Sequence, residues 1–157
     1  MNVQPLTDAH ATLGALLRRP YEDMSTWVYA QLAANGFEDV RPAFSAVLRN
    51  APAQGARVSE LAARAGMTKQ SMGYLVEQMV ACGLVELAPD PVDGRAKTVR
   101  LTERGRAAVD QAVALSARYE DYLGSLVGAR KLAQLRAVLT ELHAALAERP
   151  YPPLEGR

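Results

Sequence analysis

The sequence predicts a mainly α-helical (α+β) fold, in which two closely spaced helices are followed by a two-stranded hairpin and flanked by longer helices. Apolar residues recur at helical spacing along most of the chain. The two central helices are separated by a short turn at Gly66, and after Gly83 the apolar period changes from 3.6 residues to 2. The 157 residues, of which 49% are apolar and 22% charged, suffice for one domain, or for two small modules that share a core.

The first part of the chain predicts two helices. The first is expected over residues 8–35, with Asp8 as its N-cap and Asn35-Gly36 as its end, and Pro20 should kink or interrupt it. A second, short helix is expected over residues 39–49, with Pro42 in its first turn.

The next segment has the pattern of a helix-turn-helix. Ser59 is predicted to cap a helix over residues 60–65 that Gly66 ends, and Thr68 to cap a longer helix over residues 69–81 that Gly83 ends. The second helix should bury one face and expose a polar one. Its predicted buried residues are Met72, Leu75, Val76 and Met79, and its outward residues are Lys69, Gln70, Gly73, Tyr74 and Gln78.

Two short strands are expected after this pair of helices. Val85 and Leu87 alternate with polar or small residues, as do Val99 and Leu101. The residues between them, 89–96, include two prolines and Asp-Gly, which favour turns, so this loop should project as a finger. A helix-turn-helix followed by such a hairpin is a winged helix.

The last part of the chain predicts two further helices. Thr102 should cap a helix that runs to about Gly128, with Val113 and Leu126 on its apolar face. In the following helix five leucines are spaced alternately three and four residues apart, which fits packing against a helix of the same or of a partner chain. They are Leu132, Leu135, Leu139, Leu142 and Leu146. A tail is expected from Pro150.

Composition excludes several classes of protein. The net charge of +1 does not indicate which kind of partner the protein binds. The single cysteine, Cys82, excludes an internal disulfide framework or a multi-cysteine metal site. No segment approaches the ~20 apolar residues that span a bilayer, and no signal-peptide pattern is present, so a cytoplasmic protein without membrane contact is expected. Phosphate-binding glycine loops, nucleophile elbows and His-based metal motifs are missing, so we expect no enzyme, cofactor or metal.

Two stretches carry a resemblance to a known family. Asp93-Gly94-Arg95-Ala-Lys97, with Leu101-Thr102 and Gly105 after it, resembles an Asp-x-Arg wing signature followed by Leu-Thr-x-x-Gly. The opening Thr68-Lys-Gln-Ser71 and the exit Gly83-Leu84-Val85 are similar to a recognition helix and its end. Over nearly the whole chain, the pattern resembles the MarR family of bacterial transcription regulators. The resemblance implies an obligate homodimer, a second helix that enters the DNA major groove, and often a pocket for a small effector.

The resemblance also implies a division of the chain. Residues 1–50 would be N-terminal helices on the dimerisation and effector side, and residues 51–103 the winged helix-turn-helix DNA-binding module. Residues 104–149 would be C-terminal dimerisation helices, and residues 150–157 a tail.

The expected DNA contacts follow from side-chain chemistry. Gln70 can pair with an adenine edge, Lys69 with guanine or phosphate, and Arg95 can enter the minor groove. Arg57 and Lys97 would hold the backbone, whereas Asp93 would fix the wing turn or orient a nearby arginine through a bidentate pair. The predicted DNA-binding residues are Arg57, Thr68, Lys69, Gln70, Ser71, Gly73, Tyr74, Gln78, Asp93, Gly94, Arg95 and Lys97.

These features favour a dimeric, sequence-specific DNA-binding transcription regulator, expected to be a repressor released by a small aromatic or anionic effector. The candidate effector residues are His10, Arg18, Tyr21, Trp27, Phe44 and Tyr119, although such aromatics are more often part of the core. The alternative is a winged helix that binds proteins and not DNA. That alternative would need an apolar or acidic outer face on the second helix.

Overall fold

The computed structural model describes residues 12–52, 54–90, 93–94 and 96–148. Its helices and strands follow the predicted order, and the predicted fold class is confirmed. The elements are α1 (Leu13–Ala34), a 3-10 turn (Pro42–Phe44), α2 (Ser45–Leu48), α3 (Val58–Arg64), α4 (Lys69–Ala81), β1 (Val85–Pro89), β2 (Lys97–Leu101), α5 (Glu103–Val127) and α6 (Ala129–Glu148). The chain divides into two compact units between Ser116 and Ala117.

Helix α1 begins later than predicted and is not interrupted. The Thr12 hydroxyl oxygen accepts a hydrogen bond from the backbone N–H of Ala15 at 3.3 Å and caps the helix, while Asp8 lies outside the described residues. Pro20 lies inside the helix at an exposed position, where water can satisfy the carbonyl that loses its donor. The expected interruption is therefore wrong, whereas the end at Asn35 is confirmed and Gly36 has φ of +87°.

One hydrophobic core joins the N-terminal helices to the helix-turn-helix. The predicted inward residues of α4 are confirmed, because Met72, Val76 and Met79 are buried and Leu75 packs against them half-buried. The other large side chains that are almost fully buried are Leu32, Phe44, Val47, Leu61, Leu84, Val85, Val99 and Leu115. Burial of these side chains fixes α4 in orientation, so its polar face must point outward.

The two helices of the helix-turn-helix differ in how they begin. Thr68 caps α4 as predicted, its hydroxyl oxygen accepting from the N–H of Ser71 at 3.1 Å. Ser59 does not cap α3, which starts one residue before it, at Val58. The Glu60 carboxylate instead accepts from the backbone N–H of Arg57 at 3.2 Å, so Arg57 takes the cap position.

The wing is an antiparallel pair of strands with a third contributor. Val85 pairs with Leu101 at one end of β1 and β2, and Pro89 pairs with Lys97 at the other. Ala56, just before α3, forms a bridge with Val99 through two backbone hydrogen bonds of 3.2 and 2.8 Å. Leu87, expected to be inward, is 44% exposed, although its partner Val99 on β2 is fully buried.

The start of α5 packs tightly on the turn that follows α4. The Thr102 hydroxyl accepts from the N–H of Gly105 at 3.0 Å, which confirms the predicted cap, and donates to the carbonyl of Gly83 at 2.6 Å. The N–H of Thr102 donates to the carbonyl of Leu84 at 3.1 Å. The Leu-Thr-x-x-Gly pattern therefore corresponds to a junction between helices.

Several large apolar side chains of the last two helices are exposed among the described residues. Gly105, Ala108 and Leu115 define the buried face of α5, so Val113, expected inward, is 65% exposed. Gly105 packs against the turn after α4 and so determines which side of α5 is buried, and Val113 lies outside that side. On α6, Leu135, Leu139, Leu142 and Leu146 are all exposed. No helix among the described residues is long and apolar enough to cross a membrane.

Candidate nucleic-acid interface

The outward face of α4 forms an open groove. It is lined by Val58, Lys69, Gln70, Gly73, Tyr74 and Glu77. Lys69 and Gln70 are exposed, and the Tyr74 side chain is 63% exposed although it is a large aromatic group. Another predicted contact on this helix, Gln78, is half-buried. The structure thus brings Lys69, Gln70, Gly73 and Tyr74 together on one surface.

Two of the groove residues were not among the predicted contacts. Glu77 follows Gln70 by seven residues, so helical spacing alone places both on one face. Val58 comes from α3, and no local pattern could have placed it beside α4.

The first turn of α4 presents backbone N–H groups that have no intrahelical partner. The backbone N–H groups of Lys69 and Gln70 precede the first intrahelical hydrogen bonds, at the positive end of the helix dipole. The Thr68 hydroxyl is committed to the cap and also donates to the Ser71 hydroxyl at 2.8 Å. Ser71 and Thr68 are nonetheless exposed, so both hydroxyl oxygens lie at the surface of this turn.

A network of short contacts closes the turn of the wing. The N–H of Asp90 donates to the carbonyl of Ala96 at 3.0 Å, and the N–H of Ala96 donates to the carbonyl of Asp93 at 2.8 Å. One carboxylate oxygen of Asp90 accepts from the N–H of Asp93 at 3.0 Å. Gly94 and Lys97 are exposed at this end of the wing, whereas Arg95 lies outside the described residues.

Arg57 is oriented toward the wing. Its Nε donates to Asp90 at 2.7 Å, and its Nη2 lies 3.7 Å from a carboxylate oxygen of Asp93. The hydrogen bond with Asp90 is the largest cause that raises the pKa of Arg57 above its ordinary value. Asp93 therefore lies near an arginine, as one of its two predicted roles requires, and its described contact with Arg57 is a single one of 3.7 Å. Asp90, which carries the shorter contact, was not predicted.

The six candidate effector residues occupy different environments. Phe44 is 1% exposed and part of the core, and Trp27 packs against that core half-buried. Tyr21 is exposed, as is Arg18, which forms a 3.9 Å ion pair with Glu22. Tyr119 contacts Tyr122 edge to face at 5.6 Å, on the part of α5 beyond Ser116. His10 lies outside the described residues.

Comparison with known proteins supports the resemblance seen in the sequence. The sequence model of the MarR family matches residues 42–96, which contain α3, α4 and most of the wing. No curated protein matches the chain in sequence.

Solved structures share the fold over most of the chain. The reduced form of MarR from E. coli is 22% identical, with a TM-score of 0.71, over 83% of this chain and 96% of that one. CouR from Rhodococcus jostii RHA1 bound to p-coumaroyl-CoA is 27% identical, with a TM-score of 0.61, over 82% and 90% of the two chains. CouR, a transcriptional repressor, bound to a 23-mer DNA duplex is 26% identical, with a TM-score of 0.62, over 84% and 92%. The resemblance to MarR-family regulators is thus confirmed.

Proposed function

We propose that this chain, with its MarR-family winged helix, is a dimeric regulator of transcription that recognises a specific DNA sequence. The observation that carries the proposal is the exposed polar face of α4, whose first turn presents Lys69 and Gln70. A recognition helix reads base edges in the major groove mainly with residues near its N-terminus. The protein-binding alternative would need an apolar or acidic face there, and this face is mixed polar with one exposed lysine.

The chemistry of this face suggests how DNA would be read. The amide of Gln70 can donate to and accept from one adenine, and the ammonium of Lys69 can reach guanine or a phosphate. Among the described residues, no atom beyond the adjoining helix backbone lies within 4 Å of the position that a Cβ of Gly73 would occupy, so the backbone can approach the duplex closely there. Two copies related by a two-fold axis would contact sites about 34 Å apart, so we expect a pseudo-palindromic operator.

We further propose that the protein is a repressor released by a small aromatic or anionic effector. The support comes from CouR, which is a repressor in its DNA complex and binds p-coumaroyl-CoA in another structure. Displacement of bound DNA by a panel of aromatic acids and acyl-CoA thioesters tests this part of the proposal. Unchanged DNA binding across the panel would count against it.

Binding to duplex DNA and its salt dependence test the central proposal. A duplex selected by the protein from a random-sequence library would be titrated by fluorescence anisotropy at several salt concentrations. About 8 neutralised phosphates per dimer predict a slope of log K against log salt near −7. A slope between 0 and −2 would contradict DNA binding through such an interface.

A pair of matched variants locates the interface. K69A removes one positive charge from the first turn of α4 and should weaken binding roughly tenfold. R118A removes the same charge from an exposed position of α5 and should leave binding within about twofold. Equal effects of the two variants would mean that α4 is not the DNA-reading helix.

A further inference from the structure

Arg57 joins the helix-turn-helix to the wing at one point. Its backbone caps α3, and the residue before it, Ala56, is bridged to Val99 of β2. Its side chain extends to Asp90, 33 residues further along the chain, with Nε and Oδ2 only 2.7 Å apart. A single residue therefore has backbone contacts with one element and side-chain contacts with another.

Asp90 uses its two carboxylate oxygens for different purposes. Oδ1 accepts from the N–H of Asp93 and shapes the wing turn, whereas Oδ2 accepts from Arg57. Its side chain is only 9% exposed, and a carboxylate removed from water needs such partners to remain charged. Loss of the arginine would remove the partner of Oδ2 at the base of the wing.

The charges around Arg57 argue against a phosphate contact as its main task. The guanidinium lies 2.7 Å from Asp90 and 3.7 Å from Asp93, so one positive charge is shared between two carboxylates. A guanidinium engaged by two carboxylates is less available to a phosphate. A role in fixing the wing accounts for both carboxylates.

We propose that Arg57 and Asp90 are positioning residues for DNA recognition: their ion pair fixes the wing relative to α3 and α4, and Arg57 acts on DNA through Asp90 and the wing. The inference rests on the proposed function, and it replaces the direct backbone contact expected of Arg57. According to this proposal, Asp90 strengthens the binding of DNA, although both Asp90 and DNA are negatively charged.

The sign of the effect of D90N on affinity tests the proposal. If Asp90 only repelled DNA, removal of its charge would tighten binding to the selected duplex. The positioning role predicts the opposite, a loss of roughly tenfold, because the wing is no longer held in place. The matched control is E86Q, which removes a negative charge from an exposed position of β1 and should bind as tightly as wild type or more tightly.

R57K distinguishes positioning from phosphate binding by Arg57 itself. Lysine keeps the positive charge that a phosphate would need, but it lacks the planar fork that reaches Asp90 and Asp93 at once. The positioning role predicts that R57K loses about as much affinity as D90N. D90N binding at or above wild-type affinity, or R57K binding within twofold of wild type, would overturn the proposal.

Hydrogen exchange in the DNA-free protein provides a test that does not depend on the proposed function. The N–H groups of Asp93 and Ala96 are both hydrogen-bonded within the wing turn. Their exchange should become at least tenfold faster in D90N and R57K and stay unchanged in E86Q, while amides of α4 keep their wild-type rates. Unchanged exchange at Asp93 and Ala96 would overturn the inference. Wild-type protein that binds no DNA would instead overturn the proposed function alone.

Discussion

At Gly105, an added Cβ would lie 1.9 Å from the carbonyl oxygen of Leu84 and 3.0 Å from its carbonyl carbon. The neighbouring atoms are backbone, and that carbonyl already accepts a hydrogen bond from Thr102, so they cannot move aside cheaply. Position 105 therefore requires glycine because α5 packs closely against the turn that contains Leu84.

We expect G105A to lower the free energy of unfolding by about 3 kcal/mol or more, because the methyl group forces α5 away from the turn. Urea denaturation followed by circular dichroism measures this. The control is G124A on the same helix, where the nearest atom would be 3.6 Å away. G124A should be neutral or stabilising by up to about 1 kcal/mol, and a G105A protein of equal stability would contradict the packing argument.

The raised pKa of Tyr29 leads us to expect that the stability of the protein depends on pH in the alkaline range. Burial raises the pKa of Tyr29 above its ordinary value of 10, although the hydrogen bond with Ser45 partly opposes this. The Tyr29 hydroxyl therefore ionises at lower pH in the unfolded chain than in the folded protein. The contribution of Tyr29 to the free energy of unfolding is complete below about pH 10 and is lost as the pH rises above that value. The Y29F variant should show a shallower loss of unfolding free energy between pH 9 and 11. A slope equal to that of wild type would contradict this.

At the scale of the elements, α4 combines a stability cost with a proposed binding role. Gly73 lies in the middle of this helix, where nothing approaches the place of a Cβ. We expect G73A to raise the free energy of unfolding by about 0.5–1 kcal/mol, because glycine is a poor helix former. The same methyl group would face the duplex, so the affinity for the selected DNA should fall. A more stable variant with unchanged affinity would contradict close approach at Gly73.

Helix bounds that depend on neighbouring residues could be predicted from the sequence. Thr68 and Thr102 cap their helices as expected, because each hydroxyl needs only an N–H three residues ahead. Ser59 satisfied the same rule and failed, since Glu60 reaches back to the N–H of Arg57. Local rules identify candidates for a cap, and competition between neighbouring candidates decides which one is used.

Apolar spacing predicted which faces are hydrophobic but not how far the core extends. Val76 and Leu87 both fit their patterns, yet Val76 is 2% exposed and Leu87 is 44% exposed. Leu87 pairs with Val99 of β2, which is 0% exposed, so its position along the strand does not explain its exposure. Burial of a strand residue depends on what packs above it, and this information is not local.

At the scale of the whole molecule, the described helices leave a large apolar surface without a cover. Leu139 and Leu142 are 37% and 43% exposed on α6, and Leu126 on α5 is 61% exposed. Burial of one leucine contributes about 1.5–3 kcal/mol, and a two-fold interface would count each residue twice. This supports the proposed homodimer.

We expect L142E to shift the protein from dimer to monomer at micromolar concentration, because a charged side chain in an apolar seam is costly to bury. Sedimentation equilibrium measures the change. E141Q, at the neighbouring exposed position, should remain dimeric. Dimeric L142E, or monomeric wild-type protein, would contradict the proposed assembly.

Contacts between distant parts of the chain were the main features that the sequence did not predict. Arg104 donates to Asp39 at 2.7 Å and to the carbonyl of Gly36 at 3.3 Å, and it lies 5.3 Å from the centre of the Phe37 ring. Arg104 and Asp39 are 65 positions apart, and Arg57 and Asp90 are 33 apart. No periodicity links such residues, so only the tertiary fold could pair them. Within the candidate site, the outward face of α4 was therefore predictable, whereas the pairing of Arg57 with Asp90 was not.

The junction at Gly83 and Leu84 has a mechanical consequence. Thr102 donates hydrogen bonds to the backbone carbonyls of both residues, and Gly105 packs against the carbonyl of Leu84. The turn after α4 and the start of α5 are therefore held together at several adjacent atoms. Bending at this place would break these bonds together, which makes it a rigid joint. Any shift of the first turns of α5 must therefore move the C-terminal end of α4 in the same direction.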